Sequence, residues 1–141
     1  MYEIIFFNDS KSTNVGSAIA ALNGLTTKAV LIAGGDGKGQ DFLPLRRPIR
    51  EHARSVILLG RDATIIANAI EGSDVPVHRV KTMQQAVQLS FLLAEPGDCV
   101  LLSPACASLD MFNNYIHRAE VFVQAVKAIE NNFVMPTQMQ H

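Results

Sequence analysis

Four short apolar runs punctuate the chain: Glu3 to Phe7, Ala29 to Ala33, Ser55 to Leu59 and Cys99 to Leu102. None alternates cleanly between apolar and polar positions, which is the pattern of strands buried on both faces. A shorter strand is predicted around Val75 to Val80. Between these runs the apolar period changes. Val15, Ala18, Ile19 and Leu22 fall at i, i+3, i+4 and i+7, a helix with one apolar stripe. Ser12 or Thr13 is its expected N-cap, and Asn23-Gly24 its end. Asp41 to Ala53 reads as a weaker helix, because Pro44 and Pro48 limit where it can begin. Further helices are predicted from Ala63 to Ile70, from a Thr82 cap to Leu93, and over Tyr115, Ala119, Phe122, Val126, Ile129 and Phe133. Met135 to His141 is polar and aperiodic, so residues 1–134 are expected to form the domain and 135–141 a flexible tail.

Strands alternating with helices predict an α/β fold: a three-layer, Rossmann-like domain with a mostly parallel sheet and helices on both faces. Right-handed crossovers put the exits of parallel strands on one rim. Ligands of such sheets collect there, outside the carboxyl ends of the strands. Three polar loops sit at predicted strand exits: Asn8 to Asn14, Gly34 to Lys38 and Ser103 to Ser108. Together they offer two lysines, several hydroxyls and a few carboxylates, a combination suited to a small dianion or a nucleotide.

Bulk properties narrow the field without naming a ligand. The 141 residues are 48% apolar and 18% charged, with a net charge of −1. Phosphate backbones select clustered positive charge, so nucleic acid is not an expected partner. Arg46, Arg47, Arg50 and Arg54 form the one basic run, but Glu51 interrupts it and no aromatics interleave; a solvated helix face is expected. The apolar stretches are shorter than a membrane span, and no charged segment leads into an apolar one at the start. Cys99 and Cys106 show no CxxC spacing, which suits a reducing, cytoplasmic setting. The first strand begins almost at Met1, as expected of a piece of a longer protein.

Each loop has a functional and a plainer reading. Gly34-Gly-Asp-Gly-Lys38 fails as a phosphate loop, since Ile32 stands where its first glycine would be and Gly39 follows Lys38. Gln40 also stands where a dinucleotide-binding fingerprint needs glycine, and Asp36 would repel phosphate. What remains is a glycine turn that either delivers Lys38 to a ligand or leaves it solvated. In the first loop, Asp9 can accept from a ribose, Lys11 can neutralise an anion, and Thr13 lies near a helix N-terminus that favours anions. Simple capping by Ser12 and Thr13 is the plainer account. In the third loop, Ser108 is expected to precede the final helix and donate to a carboxylate. Cys106 has no histidine paired with it in sequence, and no two histidines have metal-ligand spacing. Asp9, Asp36 and Asp110 are expected to pair with Lys11 and Lys38 rather than hold a metal.

Several segments carry a family resemblance. Asn8 to Ser17 with Ala20-Ala-Leu22, Gly34 to Lys38 followed by Asp41-Phe42, Gly60-Arg-Asp62, and Leu102 to Asp110 resemble, in order and spacing, the C-terminal domain of the D-glutamate-adding Mur ligases. The match runs from roughly Ile5 to Ile129. It implies a domain of an ATP-driven amide-forming enzyme of peptidoglycan synthesis, with ATP and Mg2+ held mainly by a central domain. D-glutamate and UDP-N-acetylmuramoyl-L-alanine would be its other ligands, and a monomer its expected state. By the resemblance, Thr13, Lys38 and Ser108 would bind the carboxylates of D-glutamate, and Leu109 and Tyr115 would line the pocket. Asp9 and Lys11 would face ATP. No residue here is implied as catalytic or metal-binding, and these 141 residues alone are expected to be inactive. Tyr115 departs from the phenylalanine common in the family. A non-catalytic amino-acid or nucleotide-binding module, or a protein-interaction domain, is the alternative.

Overall fold

The computed structural model describes residues 4–108, 110–132 and 137–140. Its strands are β1 (Ile4–Asn8), β2 (Ala29–Ala33), β3 (Ala53–Leu58), β4 (Val77–Arg79), β5 (Cys99–Leu102) and β6 (Thr137–Gln140). Its helices are α1 (Val15–Asn23), α2 (Arg46–His52), α3 (Ala63–Ile70), α4 (Met83–Leu93) and α5 (Tyr115–Asn132). The strands make one parallel sheet in the order β4-β3-β2-β5-β1-β6.

The all-apolar strands are explained by two cores. Leu31, Ala33, Val56, Leu58 and Leu101 point to one face, under Val15, Ala18 and Leu22 of α1, Ile49 of α2, and Ile66 and Ile70 of α3. Ile4, Phe6, Val30, Ile32, Ile57 and Val100 point to the other, under Val87 and Phe91 of α4 and Phe122, Val126 and Ile129 of α5. Alternate residues of one strand thus serve opposite layers. Phe6 and Phe122 pack with ring centroids 6.3 Å apart.

The expected weak helix begins late: a short 3-10 turn at Leu43–Leu45 leads into α2, and Ala53 already opens β3. The basic run is not one solvated face. Arg46 Nε donates to the Ala69 carbonyl (3.2 Å) and Arg50 to that of Gly72, tying α2 to the end of α3. Arg54 lies in β3 and grips Asp98 with two hydrogen bonds (3.0 and 3.2 Å), leaving Arg47 and Glu51 as the exposed i, i+4 pair. Residues 137–140 are a strand where polar composition suggested a frayed tail. Ladder hydrogen bonds are made by main chain, so an open edge of β1 can be paired without an apolar sequence. Met135, Pro136, His141 and Phe133 lie outside the described residues.

Chain direction across the sheet reverses at the edge strand β4: β1 to β4 progress one way, and β5 and β6 follow the other way. From β1 and β2 the chain leaves through α1 and α2 on one face, whereas from β5 it leaves through α5 on the other. Asn8 and Ile32 both pair with Leu102, so β1, β2 and β5 end level on one rim. The loops 9–14, 34–42 and 103–114 leave from that rim.

Candidate functional site

The first loop stays tied to the sheet as it leaves: Asp9 N–H donates to the Leu102 carbonyl (2.8 Å). Beneath it runs a short hydroxyl chain. Ser103 Oγ lies 2.9 Å from both Asp9 Oδ2 and Ser12 Oγ. A hydroxyl has one hydrogen and the carboxylate only accepts, so Ser12 donates to Ser103 and Ser103 to Asp9. Both serines are buried, and the chain fixes the Asp9 carboxylate on the rim.

With Ser12 committed there, the N-cap of α1 passes to Asn14, whose Oδ1 accepts from Ser17 N–H (2.9 Å). The expectation of Ser12 or Thr13 as cap is corrected. Thr13 is half-buried, and among the described residues its hydroxyl makes no hydrogen bond. The helix terminus is less open to anions than the sequence suggests. Val15 N–H donates to Gln40 Oε1 (2.8 Å) and Ser17 N–H to Asn14, leaving Gly16 in the first turn. One first-turn amide, that of Gly16, is left alongside the side chains for a ligand at this end.

The second loop is pressed between neighbours. A Cβ at Gly34 would stand 1.8 Å from the Leu59 carbonyl oxygen, and one at Gly35 2.4 Å from that of Ala107. Only glycine fits, and both positions have positive φ. Asp36 and Ala107 exchange main-chain hydrogen bonds (3.0 and 2.9 Å), joining the second loop to the third. Lys38 is exposed and adopts φ 51°, an unusual conformation for a side-chain-bearing residue. Three contacts hold the turn around it. Lys38 N–H donates to Asp36 Oδ1 (3.0 Å), Gly37 N–H to Asp62 Oδ2 (2.7 Å) and Gln40 N–H to the Gly37 carbonyl (3.1 Å).

The third loop closes the set. Ala105 N–H donates to the Ser12 carbonyl (2.8 Å), and Gly34 N–H to that of Pro104 (3.0 Å). Ser108 is buried, and among the described residues its hydroxyl makes no hydrogen bond. It does not head the final helix. Its carbonyl accepts from Met111 and Phe112, and Asn114 caps α5 by accepting from His117 N–H (2.8 Å). Tyr115 is 37% exposed, and its carbonyl accepts from Ser10 Oγ (2.9 Å). Leu109 lies outside the described residues.

The expected lysine–aspartate pairs are also corrected. Asp36 pairs with Arg61 (3.3 Å), Asp110 accepts from Arg61 N–H (2.7 Å), and Asp9 accepts from Ser103. Among the described residues, Lys11 and Lys38 have no carboxylate partner, and both are exposed on the rim.

Two residues that sequence reasoning passed over organise this site. Arg118 is fully buried, donating to Ser10 Oγ (3.3 Å), the Ser10 carbonyl (3.0 Å) and the Cys106 carbonyl (3.0 Å). Burial lowers its guanidinium to about 10, still charged at neutral pH. Its signal was a lone cation on the apolar stripe of α5, one turn before Phe122. Gln40, noted in sequence only for not being glycine, bonds to the head of α1 just after the first loop, to its own loop and to the third. Cys106 is buried, and burial with the charge of Asp62 pushes its thiol up to about 12, unsuited to nucleophilic work near neutrality.

Thr13 therefore lies two residues before Val15, Lys38 two before Gln40, and Ser108 beside Ala107, each next to a tie between loops. Residues 2–106 match the family model described as Mur ligase, glutamate ligase domain. The chain belongs to this family. Asp9, Lys11, Thr13 and Lys38 fall inside the matched stretch of the glutamate ligase domain; Ser108 and Tyr115 fall beyond it. Three relatives bear the name UDP-N-acetylmuramoylalanine–D-glutamate ligase. That of Nitrosomonas europaea is 67% identical over 138 residues, covering 98% of this chain and 29% of the relative. Those of Nitrosospira multiformis and Methylobacillus flagellatus are 61% and 59% identical, covering 90% and 93% of this chain and 27% and 29% of the relatives. The chain thus spans less than a third of these relatives' length.

Proposed function

We propose that this Mur ligase domain holds the incoming amino acid of an ATP-dependent ligase that adds D-glutamate to UDP-N-acetylmuramoyl-L-alanine in cytoplasmic peptidoglycan synthesis. The observation that supports this reading is that Lys11, Lys38, Thr13 and Ser108 lie on three loops leaving one rim, the lysines with no carboxylate partner and the hydroxyls with no hydrogen bond among the described residues. A glutamate presents two carboxylates, and donors on separate loops can grip them at a fixed separation and sense chirality. Lys38, Thr13 and Ser108 bind those carboxylates in this reading, Leu109 and Tyr115 line the pocket, and Asp9 and Lys11 face ATP. The alanyl carboxylate takes the γ-phosphoryl group of ATP, leaving ADP. The amine of D-glutamate attacks that acyl phosphate, and the tetrahedral intermediate expels phosphate. The domain contributes alignment of the amine, which by itself accounts for much of such a rate.

Among the described residues no cluster of histidine, cysteine, aspartate or glutamate is arranged to hold a metal. In this reading Mg2+ belongs with the rest of the longer enzyme. That enzyme acts as a monomer. No described helix is long and apolar enough to cross a membrane.

The test is a chimera in which this chain replaces the matched stretch of the Nitrosomonas europaea relative, assayed for D-glutamate-dependent phosphate release. Lys38→Ala should raise the KM for D-glutamate about 30-fold, equivalent to about 2 kcal/mol for an interaction with a charged partner. An unchanged KM would remove Lys38 from the site. A chimera that folds, binds ATP and ignores D-glutamate would overturn the reading.

A further inference from the structure

Gln40 spends all of its amide on the site. Its Oε1 accepts from Val15 N–H at the head of α1 (2.8 Å). Its Nε2 donates to the Gly37 carbonyl in its own loop (2.9 Å) and to the Ala105 carbonyl in the third (3.0 Å). The amide's orientation follows from its partners. Reversed, the oxygen would face two carbonyls and the nitrogen an N–H, and all three contacts would become repulsive. We propose that Gln40 is a positioning residue that sets the separation between Thr13 and Lys38, and with it the length of amino acid the site accepts.

This inference rests on the D-glutamate reading above. It differs from a general stabilising role because of where the bonds fall. The Val15 contact holds the loop bearing Thr13 two residues away. The Gly37 contact doubles the main-chain bond by which Gln40 N–H closes the turn that presents Lys38 at φ 51°, and ties that turn to the other two contacts of the same side chain. The Ala105 contact fixes both against the third loop. Aspartate carries one methylene fewer between its carboxylates than glutamate, and 2-aminoadipate one more. A frame that fixes donor spacing discriminates among the three; a loosened one does so less.

The experiment uses the same chimera with Gln40→Met, which keeps the length and volume but removes every hydrogen bond, and Gln40→Glu, which keeps only the acceptor. Far-ultraviolet circular dichroism and thermal melting establish that each variant folds. We expect Gln40→Met to raise the KM for D-glutamate about tenfold with kcat within about twofold. The preference for D-glutamate over D-aspartate and D-2-aminoadipate should fall by about the same factor. Gln40→Glu should also lose selectivity, because its carboxylate faces the carbonyls of Gly37 and Ala105. In the 141-residue chain, the Val15 amide should lose hydrogen-exchange protection in Gln40→Met and retain it in Gln40→Glu. A folded Gln40→Met with unaltered selectivity overturns the inference. If Lys38→Ala also leaves D-glutamate use unchanged, the functional reading fails with it; if Lys38→Ala weakens it, only the role of Gln40 fails.

Discussion

Side chains that would meet a ligand were easier to read from sequence than those that hold them. Lys38 and Thr13 sit in short polar loops after apolar strands, where strand and loop composition alone point to the rim. Arg118, Ser103 and Gln40 reach groups up to 108 positions away, mostly main-chain carbonyls that every residue carries. No local pattern records such a partner. Cys106 is a further case. A cysteine in a small-residue loop invites a chemical role, yet it is fully buried with its thiol raised to about 12. A group whose folded pKa lies above its unfolded value of about 9 contributes stability below that pH and loses it as pH rises through the folded value. The urea midpoint should therefore decline between pH 9 and 12, and less steeply in Cys106→Ala; parallel declines would count against this account. At pH 8, a thiol reagent should modify the native chain no faster than it unfolds.

At the level of elements, apolar runs located β1, β2, β3 and β5, and most completely β2 and β5, whose burial on both faces leaves no room for polar residues. Cap assignment was harder. Ser12, Thr13 and Asn14 are all competent caps, and the buried bond from Ser12 to Ser103 decides among them. Asn14→Ala should cost about 1 kcal/mol of stability, the usual effect of losing a cap. Thr13→Ala should leave the denaturation midpoint nearly unchanged while weakening D-glutamate use. Equal destabilisation by both would mean that Thr13 is structural. The strand β6 was not legible at all, because its pairing draws on the main chain and on the free edge of β1.

Considered whole, the molecule is a sheet whose connections change direction at β4, which sets β5 between β1 and β2, and three sequence-distant loops leave from the rim they share. The fold class followed from the alternation of strand and helix; the strand order did not, since apolar runs carry no label for their neighbours. The 141 residues carry no phosphate-binding loop, and we expect no ligation from them alone. Product formed from UDP-N-acetylmuramoyl-L-alanine, D-glutamate and ATP by the purified chain would contradict this.

The way α1 is capped has a consequence for how such a domain can change over generations. Where a helix terminus or glycine cradle recognises an anion through its amides, the ligand is written into the backbone, and a new ligand requires a new backbone. Here Asn14 and Gln40 occupy two of those amides, so in the function proposed above recognition falls mainly to the side chains at positions 13, 38 and 108, borne on a frame held by other residues. In that reading, chemistry at the rim can drift by single substitutions while the scaffold is inherited unchanged, and the domain would be readily retargeted to a different amino acid.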